Sequence, residues 1–180
     1  MTDTTIIAGN VEAGSRSAFT WSVVIAGALA AWAVAFIFIS LGSGIGFGIA
    51  SPYYSGPSTT AMSIGGAIWL VFSQTCAYAV AGYMAARLRV RDHIPGPETK
   101  FRDAAHGFMA WVVGVGLMTA AIFLAAVFTP HVTGNTAVVD TDAARQAAAY
   151  VAFWSFMALL FGAVAATLAG ILGGELRDEG

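Results

Sequence analysis

The sequence predicts an all-α integral membrane protein, a bundle of four transmembrane helices with both termini on the inner side. Residues 17–86, 104–139 and 146–174 contain no Asp, Glu, Lys or Arg. Hydrophobic residues make up 58% of the chain and charged residues only 10%, whereas a soluble domain is about 25% charged. A helix exposed to water needs a polar face, but a helix in lipid is favoured by apolar side chains throughout. The composition therefore predicts a chain that lies in a bilayer.

The first half of the chain holds two of the predicted spans. Residues 1–17 are polar and form an N-terminal tail, and the first apolar run covers residues 18–41. This run is long enough to span a bilayer, so it is interpreted as a retained helix rather than a cleaved signal peptide. A connection rich in Gly, Ser and Pro follows, and the second span covers residues 63–86.

The second half holds the other two spans. The third covers residues 104–129, with Asp103 in the position of a helix N-cap and a proline directly after its end. Thr141 and Asp142 fit the cap of a fourth helix, whose span covers residues 147–172. The spans, 18–172 together, form one transmembrane domain, and residues 173–180 form a C-terminal tail.

Orientation is predicted from the basic residues. The loop 87–103 contains five of the eight Lys and Arg residues, namely Arg87, Arg89, Arg91, Lys100 and Arg102. With both termini inside, Arg145 is the only basic residue on the outer side. Cytoplasmic loops are enriched in Lys and Arg, so we expect a multi-pass protein of the bacterial inner (plasma) membrane with both termini in the cytoplasm. The five loop residues set this topology and are also placed to contact anionic lipid headgroups.

A weak internal similarity suggests two tandem helical hairpins. Residues 79–86 (AVAGYMAA) align with residues 163–170 (AVAATLAG) with identity at half of the positions. Duplicated hairpins of one topology are found in membrane proteins built from parallel repeats. In a chain this rich in alanine, chance accounts for the similarity equally well.

Small residues recur at every fourth position of the predicted spans. Such rows let helix backbones approach closely in lipid. The rows either pack the four helices against one another or pack one helix against another subunit, in a homo-oligomer or with a different membrane protein. The predicted helix-packing residues are Gly27, Ala31, Gly82, Ala86, Gly162, Ala166 and Gly170.

The most polar group within a span is Ser73, Gln74 and Thr75, near the middle of the second helix. Gln74 either donates a hydrogen bond to a neighbouring helix or lines a path for a neutral solute. No Asp, Glu, Lys or Arg lies in the middle of a span, so the sequence predicts no buried charged group of the kind that marks a proton or ion pathway.

Several chemistries are excluded by spacing. Gly42, Gly44, Gly46 and Gly48 are not followed by the lysine of a phosphate-binding loop. His106 and His131 lie near opposite faces of the membrane, too far apart to hold one haem iron. No catalytic residues, metal ligands or cofactor are therefore predicted, and the chain is not expected to be an enzyme. A net charge of −2 also argues against a nucleic-acid partner.

The second span, the basic loop and the third span resemble a family of uncharacterised proteobacterial four-helix inner-membrane proteins, some labelled PhnA-like. The shared pattern is Trp69 early in a helix, Gly82-x-x-Ala85-x-Arg87 at its exit and His106-Gly107 in the next helix. The resemblance covers about half of the chain. It implies a four-helix membrane protein and no particular activity.

Two functions are consistent with this pattern. The first is a small non-catalytic membrane protein, a structural or accessory subunit that packs through its Gly/Ala rows. The alternative is a small channel or carrier for a neutral or hydrophobic solute that passes Gln74. In both cases the bilayer is the main surrounding of the chain.

Overall fold

A computed structural model describes residues 19–49, 59–90, 96–128 and 141–179. Within these residues the protein consists of four α-helices and contains no β-strand. The helices are α1 (Trp21–Ile49), α2 (Thr59–Arg87), α3 (Pro97–Phe128) and α4 (Thr141–Glu179). All four are long and apolar enough to cross a membrane. The predicted all-α class with four membrane-spanning helices is therefore confirmed.

The first helix continues beyond the run that predicted it. The sequence placed a Gly-rich connection from Gly42 onwards, but α1 extends through these glycines to Ile49. This part of the prediction is wrong, because glycine disfavours a helix mainly in water. In an apolar surrounding, the peptide groups must be hydrogen-bonded within the chain, and a continuing helix achieves this.

The third helix begins earlier than predicted. Pro97 is its first residue and follows Gly96, whose φ of 39° suits glycine at the turn. Proline is favoured at the first helical position because that residue's N–H would have no partner in the helix. Asp103 therefore lies inside α3 and is not its N-cap, and the predicted loop 87–103 is helical from Pro97 onwards. The fourth helix begins at Thr141, as its cap residues indicated, and continues into the predicted tail as far as Glu179.

The helices alternate in direction. Contacts of Thr20 with His106 and of Arg177 with Ala86 and Asp103 bring together the start of α1, the end of α2, the start of α3 and the end of α4. We call this the charged end of the bundle. Helices α2 and α3 each pack against all three others, whereas α1 and α4 do not pack against each other within the described residues.

The core is built from small side chains. All seven predicted helix-packing residues are buried. A Cβ atom added at Gly82 or at Gly107 would overlap the main-chain carbonyl of Ala166, and one at Gly27 would lie 2.5 Å from the Ala81 carbonyl oxygen. Backbone therefore packs directly on backbone between α1 and α2, and between α4 and both α2 and α3. These contacts correspond to the first interpretation of the small-residue rows, in which the rows pack the four helices of one chain against one another.

Large apolar side chains point outward. Phe36, Phe47 and Phe128 are 63%, 81% and 79% exposed. A soluble monomer rarely exposes so much contiguous apolar surface, whereas lipid solvates it. The outer surface is therefore compatible with an integral membrane protein.

Tryptophan links α1 to α2 in the half of the bundle away from the charged end. The indole N–H of Trp69 donates a hydrogen bond to the carbonyl of Phe38 at 3.1 Å. The indole ring occupies the space that a side chain at Gly42 would take. Gly42 is thus a packing position inside α1 and belongs to no phosphate-binding loop.

Candidate functional site

Three ionised side chains meet at the charged end of the bundle. Arg177 donates two hydrogen bonds to the carboxylate of Asp103, from Nη1 at 3.0 Å and from Nη2 at 3.1 Å. Nε of Arg89 lies 3.1 Å from the same carboxylate. The side chains of Asp103, Arg89 and Arg177 are only 2%, 3% and 8% exposed. We call these three residues the charged cluster.

The charged cluster joins three helices. Arg177, in the last turn of α4, also donates a hydrogen bond of 2.9 Å to the carbonyl of Ala86 at the end of α2. That carbonyl lies in the last turn of α2 and also accepts a hydrogen bond from the main-chain N–H of Arg89 at 3.2 Å. Gly174 makes room for the Asp103 carboxylate, which a side chain at position 174 would overlap. Arg177 thus joins the last turn of α4 to the Asp103 carboxylate of α3 and to the end of α2.

The remaining helix, α1, is connected to the charged end of the bundle by His106. Its ring is buried, and Nε2 accepts a hydrogen bond from the main-chain N–H of Thr20 at 3.1 Å. Nδ1 lies 2.7 Å from the carbonyl of Arg102, which fixes the tautomer with the proton on Nδ1. The ring also stacks on Phe19, with 4.5 Å between centroids. Both ring nitrogens are engaged, so His106 is a structural residue that holds the start of α1.

The five basic residues of the predicted loop have different surroundings. Arg87 is exposed, while Lys100 pairs with Glu175 at 2.7 Å and Arg102 pairs with Glu98 at 2.8 Å. Arg89 was grouped with them as a headgroup contact, but its side chain is buried against Asp103. That assignment is corrected, because a buried guanidinium cannot reach the bilayer surface. Arg91 lies outside the described residues.

The charged cluster was not predicted from the sequence. Because the middle of every span lacks charge, no buried charged group was expected, whereas the structure buries Asp103, Arg89 and Arg177 where the helices end. The available signal was a carboxylate and two arginines placed at three helix ends that share one side of the membrane. Opposite charges at such positions pair more often than they remain separately buried.

The polar group of α2 lies in the other half of the bundle. Ser73 and Thr75 donate hydrogen bonds to the carbonyls of Trp69 and Val71, at 2.6 and 2.7 Å, so their hydroxyl groups are satisfied within α2. Gln74 borders two clefts. One, of about 310 Å³, lies between α2, α3 and α4. The other, of about 290 Å³, lies between α1 and α2. Of the three predicted solute-path residues, Gln74 is thus the one placed to meet a ligand in either cleft.

Metal-binding potential is small in the part of the chain that the structure describes. No group of three or more His, Cys, Asp or Glu side chains comes together there. Cys76 is a half-buried free thiol in α2. His93 and His131 lie outside the described residues.

Comparison with profiles of known protein families, with curated proteins and with solved structures finds no match to this chain. The resemblance to the proteobacterial inner-membrane family and the internal repeat stay predictions.

Proposed function

We propose that this chain is a non-catalytic structural or accessory subunit of the bacterial inner membrane. The observation that carries the proposal is the close backbone contact of the helices at and near the charged end. A Cβ at Gly170 would lie 2.7 Å from the carbonyl oxygen of Asp103, and Gly82 and Gly107 both abut Ala166. Where even a methyl group has no room, no solute passes between α2, α3 and α4 at this end of the bundle.

The channel or carrier alternative is less well supported for this reason. Both clefts that Gln74 borders lie in the half of the bundle away from the charged end. A carrier with a path along these helices would have to separate Arg177 from Asp103 in each cycle, and breaking a buried ion pair is costly. A rigid scaffold avoids this cost, and rigidity suits a subunit whose task is to hold a partner.

The mass of the protein in its native lipid tests the proposal. We expect the chain, 18.6 kDa by itself, to be extracted in lipid particles as part of a larger membrane complex at a fixed ratio. Extraction with a polymer that retains lipid, followed by native mass spectrometry, gives this mass directly. A monomer would contradict the accessory role. A homo-oligomer that conducts a neutral solute would favour the channel alternative.

The proposed orientation is tested by reporter fusions. With both termini in the cytoplasm, green fluorescent protein fused after residue 180 should fluoresce, and alkaline phosphatase at the same position should be inactive. Alkaline phosphatase fused after residue 135, between α3 and α4, is the matched control and should be active. The opposite pattern would overturn the predicted topology and the positive-inside argument that supports it.

A further inference from the structure

One of the two clefts is lined by polar groups that lack partners. It lies between α2, α3 and α4 and has a volume of about 310 Å³. Its polar lining residues are Gln74, Tyr78, Thr119 and Ser155, and the rest of its lining is apolar. We call it the α2–α4 cleft.

The hydrogen-bonding state of these polar groups differs. Thr119 donates its hydroxyl hydrogen to the carbonyl of Val115 at 2.9 Å. Within the described residues, the amide of Gln74 and the hydroxyls of Tyr78 and Ser155 make no hydrogen bond. Tyr78 is only 4% exposed as a whole, but its hydroxyl oxygen is not itself buried and opens into the α2–α4 cleft. A polar group that meets only apolar surroundings is unfavourable, and more so in lipid than in water.

Tyr78 is held rigidly in place. Cβ atoms built at Gly114 of α3 and at Gly162 of α4 would lie 2.9 and 2.8 Å from its ring. The absence of side chains at these two positions thus leaves the space that the ring fills. Tyr78 is one helical turn after Gln74, and side chains with this spacing lie on the same face about 5–6 Å apart. Both donors therefore line the same side of the α2–α4 cleft.

The depth of the pair limits what can satisfy it. At a rise of 1.5 Å per residue, Gln74 is roughly 20 Å from the end of α2 at Arg87, near the middle of the helix. Headgroups of a bilayer do not reach this depth, and acyl chains offer no hydrogen-bond acceptor. No ionisable side chain other than the Tyr78 phenol lines the α2–α4 cleft, so a charged ligand would find no counter-charge there.

We propose that the α2–α4 cleft binds a neutral, lipid-soluble molecule that presents a carbonyl oxygen to the Tyr78 hydroxyl and the Gln74 amide, as the ring of a quinone does. The apolar lining residues Leu70, Met118, Ile122 and Leu159 accommodate the rest of the molecule. The ligand enters from the surrounding lipid. A bound molecule of this kind is independent of the accessory role, since it requires neither transport nor catalysis.

Binding of decylubiquinone to the purified full chain in lipid nanodiscs tests the proposal. Quenching of tryptophan fluorescence should be saturable, and decylbenzene, which has the same alkyl chain and no carbonyl, should not compete. Tyr78→Phe and Gln74→Leu should each weaken binding by about three- to tenfold, as expected for one lost hydrogen bond. Thr75→Val is the matched control, because it removes a hydroxyl from the next position of α2 that does not line the cleft. It should bind decylubiquinone as the parent chain does.

The same variants give a second readout. Without ligand, Tyr78→Phe and Gln74→Leu should raise the melting temperature, because each replaces an unsatisfied polar group by an apolar one of similar shape. Thr75→Val should not raise it. Weaker binding combined with higher stability supports the proposal. Absent or unsaturable quenching, equal competition by decylbenzene, or unchanged affinity in both cleft variants overturns it and leaves water as the only occupant of the cleft.

Discussion

Replacing Asp103 with Asn is expected to lower the free energy of unfolding by about 3–5 kcal/mol, the loss typical when one partner of a buried ion pair is removed. The substitution keeps the size of the side chain and removes its charge. Arg89 and Arg177 would then lie close together without the carboxylate that both contact. Reversible unfolding in mixed detergent and SDS micelles, followed by circular dichroism, measures the loss.

Glu98→Gln provides the control for this substitution. It removes the same kind of charge from the same helix, but the Glu98 side chain is 52% exposed and its partner Arg102 is near the surface. We expect a loss of less than about 1 kcal/mol, as for other exposed pairs. Combining Asp103→Asn with Arg177→Gln should lower the free energy of unfolding by less than the sum of the two separate losses, because the two residues pair with each other. Equal losses for Asp103→Asn and Glu98→Gln would show that the charged cluster contributes nothing particular.

Among the described glycines, Gly82→Ala is expected to be the most damaging change to alanine, lowering the free energy of unfolding by about 1–3 kcal/mol. The added Cβ would overlap the carbonyl of Ala166, which is main chain and cannot turn away as a side chain can. Helices α2 and α4 would have to separate, and their neighbouring small-residue contacts would loosen with them. The same unfolding measurement gives the loss.

Gly65→Ala is the matched control, since Gly65 lies in the same helix and nothing is within 4 Å of its Cβ position. Alanine forms helices better than glycine by about 1 kcal/mol in water, so this substitution should be neutral or stabilising. If Gly65→Ala and Gly82→Ala have equal effects, the close approach of α2 and α4 is not a source of stability.

The number and type of helices follow directly from the sequence. Uninterrupted apolar runs are possible only where lipid is the solvent, and the bilayer thickness sets their length. The positions of the helix ends are predicted less well from the sequence. Charged residues such as Lys100 and Glu175 mark the end of the apolar run, yet the helix continues through them, because charged side chains are solvated or paired at the membrane surface.

The candidate sites were predicted in part. Gln74 stands out in the sequence as a polar residue in the middle of an apolar run, and it borders both clefts. Tyr78 does not stand out, because a tyrosine in a membrane helix is unremarkable until the glycines around its ring are known. The pairing of Asp103 with Arg177 joins residues 74 positions apart. No local pattern encodes such a contact, since it depends on how α3 and α4 pack.

The position of Arg177 near the end of α4 has a consequence for biosynthesis. Helices enter the membrane in the order in which the ribosome makes them, so Asp103 is inserted well before its bidentate partner exists. Until the last turn of α4 emerges, the carboxylate of Asp103 lacks the two hydrogen bonds that Arg177 donates to it. A chain interrupted before residue 177 would lack these two hydrogen bonds at the charged end of the bundle. The charged cluster is thereby completed only after the last helix of the bundle, α4, has been made.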